Sequence, residues 1–134
     1  MLADRFRGAV EAGEIGGASE LFSPDVVFRS PVVYRPYAGR ETVLKVLQAA
    51  ERVLGGGGQF RYVHQLEDAD ARVAILEFTT EVDGREVEGI DKLTFDEDGQ
   101  IAELKVMLRP ASALQAVGAR MAEEFARLGV GAPR

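Results

Sequence analysis

Hydrophobic positions in this chain recur first at the spacing of a helix and later at the spacing of a strand. Leu2, Phe6, Ala9 and Val10 share one face of a 3.6-residue repeat, and Gly13 is placed to end that helix. "EIGGASELF" reads as a second, shorter helix with Ile15, Ala18, Leu21 and Phe22 inward, broken by Ser23-Pro24-Asp25. A short strand, Val26–Phe28, precedes an irregular, Pro-punctuated crossing, "SPVVYRPYAG". "GRETVLKVLQAAERVL" predicts a strong amphipathic helix, with Val43, Val46, Leu47, Ala50, Val53 and Leu54 on one stripe. The glycines Gly55 to Gly58 stop it, and no Lys-Ser/Thr follows to make them a phosphate loop.

The period then changes to 2. "QFRYVHQLED" places Phe60, Tyr62, His64 and Leu66 on one face, and the segment from Ala71 to Arg109 reads as three more strands. Asp83-Gly84 and Asp98-Gly99 supply hairpin dipeptides between alternating runs. A last helix opens at Pro110 to Ser112, with Leu114, Val117, Met121, Phe125 and Leu128 on its apolar stripe, and "GVGAPR" reads as a frayed tail. Helices followed by a strand meander predict an α+β fold, with helices on one face of a curved antiparallel sheet.

Length and charge narrow the function. A chain of 134 residues is one domain with enough interior for a real core. Its net charge of −6 offers no basic footprint for nucleic acid or an anionic membrane. There is no cysteine, which excludes disulfides, thiol catalysis and thiolate metal sites, and fits a cytoplasmic location. The N-terminal segment lacks the apolar run of a signal peptide, and no stretch of about 18 apolar residues exists to span a bilayer. One histidine without cysteine argues against a dedicated transition-metal site. Arginine (13) far outnumbers lysine (3) and asparagine is absent, the coding bias of a GC-rich bacterial genome.

Three segments carry a resemblance: "VEAGEIGGASELFSPDVVF", "SPVV…YAGRETVLKVL" and "GIDKLTFDEDGQI". In this order they resemble the NTF2-like superfamily, which includes ketosteroid isomerases and SnoaL-like polyketide cyclases. The resemblance runs over roughly residues 2 to 110. It implies a cone-shaped α+β barrel, with N-terminal helices packed against a strongly curved antiparallel sheet. Residues 1–134 form a single domain on this reading, with the helix of residues 111–128 appended to the core. It also implies an apolar small-molecule ligand and a homodimer, and no cofactor is expected; charge and the lack of a long apolar run already argue against a nucleic-acid partner or a membrane.

Site residues follow the same resemblance, position by position. Ketosteroid isomerases carry a proton-shuttling Asp where this chain has Ser30, before Pro31, and an oxyanion-binding Tyr where it has Phe6. Their second oxyanion donor, a protonated Asp, is matched by Asp91. In SnoaL-like cyclases an Asp of the same strand is an acid/base candidate, a role Asp91 also fits.

Strand parity puts Val87, Gly89, Asp91, Leu93 and Phe95 on one face, which the resemblance turns towards the cone. Gly89 beside Asp91 is expected to leave room for a ligand or a backbone approach. In an apolar cone, desolvation would raise the Asp91 pKa and make it a neutral donor or a poised acid/base. The alternative is a polar residue satisfied by a neighbour. His64 shares the face of Tyr62 on this pattern and is the candidate partner of Asp91, against a satisfied core histidine. Tyr34 and Tyr37 either rim the mouth and touch a ligand or stitch their loop down, and Arg29 and Arg35 pair in solvent. Tyr62, Leu76, Phe78, Thr80, Val106 and Leu108 coat the interior, and contact a ligand if the cone is hollow. Ile90 and Met107 interrupt an otherwise polar outer sheet face and suggest that it is covered. The expected function is small-molecule binding in a hydrophobic cone, with isomerase- or cyclase-type acid/base chemistry at Asp91 and His64. The alternative is a non-catalytic ligand-binding or dimerisation module with a filled cone.

Overall fold

The computed structural model describes residues 1–133. Three helices, α1 (Asp4–Glu11), α2 (Arg40–Gly55) and α3 (Ala111–Leu128), pack against a six-stranded curved sheet. The strands are β1 (Phe22–Arg29), β2 (Tyr37–Ala38), β3 (Arg61–Asp68), β4 (Val73–Val82), β5 (Arg85–Phe95) and β6 (Ile101–Arg109). Their order is β2-β1-β6-β5-β4-β3, and every neighbour is antiparallel except β1 and β6, which run parallel. The sheet does not close, so the helices cover its concave face and one end stays open.

The core follows the predicted patterns closely in β5 and α2. Val87, Gly89, Asp91, Leu93 and Phe95 are all buried, while the residues between them are half-exposed. On α2 the buried stripe is Val43, Val46, Leu47 and Ala49, with Ala50, Val53 and Leu54 half-buried behind it. Asp83 and Gly84 both adopt positive φ, as the tight β4–β5 hairpin requires. At the β5–β6 hairpin Gly99 takes the positive φ, and the Asp96 carboxylate accepts from the backbone N–H of Asp98 and Gln100.

Four local expectations are corrected. "EIGGASELF" forms two 3₁₀ turns, Ile15–Gly17 and Ser19–Leu21, in place of a short helix. Gly16 lies so close to α2 that a Cβ there would meet Gln48 Cγ at 2.4 Å, so the segment turns tightly onto that helix. Ser23-Pro24-Asp25 does not end an element but lies within β1, whose pairing with β6 shifts register between Phe22 and Val27. Pro24 has no N–H for a ladder, and the shift absorbs it. The tail is less frayed than expected: the Val130 N–H donates to the Phe125 carbonyl at 2.9 Å, and Val130 packs on the core. Arg134, the end of that tail, lies outside the described residues.

The fourth correction reaches the site. On β3 the pairing runs Tyr62↔Phe78 and then His64↔Glu77, so Val63 is an extra, bulged residue. A one-residue bulge reverses the faces beyond it. Tyr62 therefore points inward, whereas Leu66 is 69% exposed on the outside. Glu67 takes the inner side, where its carboxylate accepts from the N–H groups of Leu2 and Ala3 at 2.7 and 2.8 Å. Those donors open α1 and lack intrahelical partners, so the bulge places an anion where the helix start needs one.

Candidate functional site

The inner face of the sheet is laid out in rows. One row is Tyr62, Phe78, Gly89 and Leu108; the next is Leu76, Asp91 and Val106. Gly89 does not leave an open space. A Cβ there would lie 2.4 Å from Phe78 Cζ and 2.7 Å from Leu108 Cδ2, so these two side chains already meet over it. Phe78 stacks on Phe60 at 4.8 Å between ring centroids, and Tyr62 meets both edge-on. This aromatic packing fixes the Tyr62 ring.

From that position the Tyr62 hydroxyl reaches across β4 to β5 and donates to Asp91 Oδ2 at 2.6 Å. Asp91 is 8% exposed. Burial pushes its carboxyl up from 3.8 to about 6, and the Tyr62 hydrogen bond holds that rise back. The Tyr62 phenol is raised well above its usual 10.0, first by burial and then by the charge and hydrogen bond of Asp91. The phenol thus keeps its proton at neutral pH and acts as the donor. Among the described residues nothing donates to Asp91 Oδ1, and no fully buried side-chain oxygen or nitrogen is left without a partner. Oδ1 therefore faces open space.

That space is a cavity of about 830 Å³ inside the cone, and Asp91 and Tyr62 are in its wall. It falls within the range of small-molecule sites, roughly 300–1,000 Å³. Phe6 of α1, Leu47 of α2, Phe78 of β4 and Val106 and Leu108 of β6 supply apolar wall. Ser30 and Tyr37 line it near the end of β1, and Glu11, Glu51 and Arg61 are charged residues among the lining. The Ser30 hydroxyl oxygen accepts from Val32 N–H at 2.9 Å and Val33 N–H at 3.4 Å, which leaves its proton free to donate. Arg7 places its guanidinium 5.5 Å from the Tyr62 ring centroid, and its Nε pairs with Glu11 at 3.3 Å.

Of the expected site residues, the fold brings Phe6, Ser30, Tyr37, Tyr62, Phe78, Asp91, Val106 and Leu108 together around the cavity. Three it does not. His64 lies outside because of the bulge at Val63; its side chain is 72% exposed and its Nδ1 is 3.3 Å from Glu77 Oε1, so it cannot serve Asp91. Tyr34 is 96% exposed and outside the wall. Leu76 is fully buried beside Asp91 in register but forms core, not wall. The partner of Asp91 is Tyr62, which alternation placed on the correct face but did not pair with it. The apolar stripe of α3 fits either closing the cone or packing on a second subunit, and the structure lines the cavity with its Val117, Gly118, Met121, Ala122 and Phe125, none of which was singled out as a site residue. Among the described residues no three His, Cys, Asp or Glu side chains gather to hold a metal ion, and no helix is long and apolar enough to cross a membrane.

An unclosed, strongly curved sheet wrapped on helices, with an appended C-terminal helix, defines an NTF2-like α+β cone. The SnoaL-like domain family matches residues 3–104, and the chain belongs to that family. A solved structure described as a steroid delta-isomerase from Pseudomonas aeruginosa is 38% identical, with a TM-score of 0.88 over 97% of this chain and 93% of that one. A Silicibacter pomeroyi protein with a cystatin-like fold is 26% identical, with a TM-score of 0.85 over 93% of this chain and 85% of that one. PrhC from Penicillium brasilianum is 15% identical with a TM-score of 0.66, covering 96% of this chain and 91% of that one, and shares the fold alone. No curated protein matches the sequence.

Proposed function

We propose that the cone binds an uncharged, apolar molecule of fused-ring size and that Asp91 moves a proton on it. One observation carries this reading: Asp91 has one oxygen held by Tyr62 and the other free towards an apolar cavity, with its pKa raised to about 6. A base poised near the working pH combines enough ionised form with enough driving force for proton transfer. Oδ1 takes a proton from a carbon beside a carbonyl, and the electron pair of the broken C–H bond passes into the enolate. The neutral carboxyl then returns its proton to another carbon, an isomerisation. In the cyclase variant the enolate carbon instead attacks a second carbonyl, whose π electrons pass to its oxygen, and that oxygen takes the proton back from the Asp91 carboxyl. Tyr62 orients the carboxylate and lowers the cost of its charge. The SnoaL-like family and the isomerase description of the 38% identical relative support this class of chemistry.

Solvent exchange tests it. Bicyclic and tricyclic enones are incubated with the protein in D₂O, and deuterium at the carbon next to the carbonyl is followed by NMR. Exchange should rise as pH climbs through about 6, following the Asp91 carboxyl. It should fall by about 10²- to 10⁴-fold in Asp91→Asn, the usual worth of a general base. Binding of such a ligand with exchange unchanged by Asp91→Asn would favour the second reading, a ligand carrier without catalysis. That reading draws on Ser30, a wall hydroxyl that cannot shuttle a proton without a base of its own.

A further inference from the structure

Among the described residues three hydroxyl side chains line the cavity, those of Ser30, Tyr37 and Tyr62, and the fold commits them differently. Tyr62 donates to Asp91. Ser30 is half-exposed, and its oxygen accepts from two backbone N–H groups. Tyr37 is only 5% exposed, yet among the described residues its hydroxyl has no hydrogen-bond partner. A buried phenol ordinarily finds one. Since no fully buried side-chain oxygen lacks a partner, the Tyr37 hydroxyl meets open space, and the space that Tyr37 lines is the cavity.

The ring behind that hydroxyl is held on two sides. Phe28 stands tilted at 6.4 Å between centroids, and Phe125 of α3 stands edge-on at 5.8 Å. Its backbone is held as well: Tyr37 pairs with Phe28 in the ladder, and the Gly39 N–H donates to the Val26 carbonyl at 2.9 Å. A donor fixed in this way needs no reorganisation when charge develops beside it. Burial raises the phenol above its usual 10.0, so it keeps its proton at neutral pH. Strands β2, β1, β6 and β5 are consecutive in the sheet. At about 4.8 Å per strand, the Tyr37 and Asp91 backbones are separated by roughly 14 Å across the strands. The two side chains therefore bound the same hollow from different parts of its wall, with Phe28, Leu104 and Val106 between them.

Proton removal by Asp91 puts negative charge on the ligand's carbonyl oxygen, and a carboxylate cannot stabilise that charge. We propose that Tyr37 donates to this oxygen, and so selects ketones and enones over hydrocarbons of the same shape. As Asp91 Oδ1 takes the proton, the C–H electron pair forms the new C=C bond and the carbonyl π pair moves to oxygen. The Tyr37 O–H strengthens its hydrogen bond to that oxygen and keeps its own proton. The proposal rests on the cone being the site of a carbonyl ligand, and its test reads the donor apart from the proton transfer.

The probe is a bicyclic enone carrying ¹³C at its carbonyl, with binding, carbonyl shift and deuterium exchange followed on the same samples. In the unaltered protein the bound carbonyl should resonate downfield of its position in a hydrocarbon solvent, the mark of a hydrogen-bonded ketone. Tyr37→Phe keeps the ring and should move the resonance back upfield. Exchange should slow by about 10²- to 10³-fold, the usual worth of one such donor, while the dissociation constant rises by a smaller factor. The midpoint of the exchange profile should stay near 6, because Asp91 keeps Tyr62. Without ligand, Tyr37→Phe should melt with the unaltered protein, since its hydroxyl has no partner to lose. A carbonyl shift equal in the two proteins, or one lost in Ser30→Ala and kept in Tyr37→Phe, would overturn the donor. A shift that responds to Tyr37→Phe while exchange ignores Asp91→Asn keeps the donor and removes the proton transfer. An enone that does not bind removes both.

Discussion

Asp91 sits in the fold at an energetic cost that pH makes measurable. Its carboxyl is easier to protonate in the folded chain than in the unfolded one, at about 6 against 3.8. The stabilisation is therefore complete below 3.8 and is lost as pH rises towards about 6. At ~1.4 kcal/mol per pH unit, the ionised group weakens the fold at neutral pH by about 3 kcal/mol. Asp91→Asn should remove that slope and leave stability at pH 7.5 equal or higher, because an amide oxygen still accepts from Tyr62. Urea unfolding between pH 4 and 7.5 checks this; a loss of ~3–5 kcal/mol in the variant would mean a structural anion in a paired network instead. Tyr62→Phe removes the one interaction that lowers the Asp91 pKa, so the carboxyl should titrate above its present value, measurable by ¹³C NMR of the side chain. Phe6 and Ser30 offer neither a phenol nor a carboxylate to the cavity. Turnover of a Δ5-3-ketosteroid should accordingly run about 10²- to 10⁴-fold slower than with a shuttle carboxylate at position 30, and what remains should be abolished by Asp91→Ala; turnover that survives Asp91→Ala would overturn the role of Asp91 as the base.

Two glycines in regular elements differ in how closely neighbours crowd the missing side chain. In β5, Gly89 is required because Phe78 and Leu108 occupy the position its Cβ would take. Gly89→Ala should destabilise by about 1–3 kcal/mol, the range for overpacking a filled interior. In α3, Gly118→Ala has room for its methyl and should stabilise by up to about 1 kcal/mol. Thermal unfolding of the two variants, side by side, distinguishes a crowded glycine from one with room for a methyl. The bulge at Val63 belongs to this scale too. One additional residue in β3 sends Tyr62 to Asp91 and His64 to Glu77, and at the far end it frees Glu67 to hold the start of α1.

The molecule as a whole presents two very different sheet faces. The concave face carries the core and the cavity. The convex face carries Leu66 and Met107 at 69% and 47% exposure amid charged residues, with Ile90 half-buried between them. Lys92 and Lys105 are directly opposite each other in the ladder there, a like-charge pair that is unfavourable when isolated. Glu77, Glu88 and Glu103 occupy the same face, so a second copy related by a twofold axis can bring acid to lysine and apolar residue to apolar residue. A homodimer through this face is the expected state. Light scattering at tens of micromolar should report about twice the chain mass, and Ile90→Glu should return it to a monomer.

Alternation and helical periodicity alone determined most of the architecture. The inward set on β5, the stripe of α2, the two hairpins and the amphipathic α3 are properties of neighbours a few residues apart, and local spacing encodes them. The position of Asp91 in an apolar setting belongs to that same class. Tertiary structure decided the rest. "VHQLED" alternates equally well in either phase, so only the pairing with β4 reveals the bulge that exchanges His64 for an outer position. The Tyr62–Asp91 contact spans 29 residues of chain and crosses a strand between them. The hollow of the cone depends on how closely α1, α2 and α3 approach the sheet, a matter of distances that no run of adjacent residues carries.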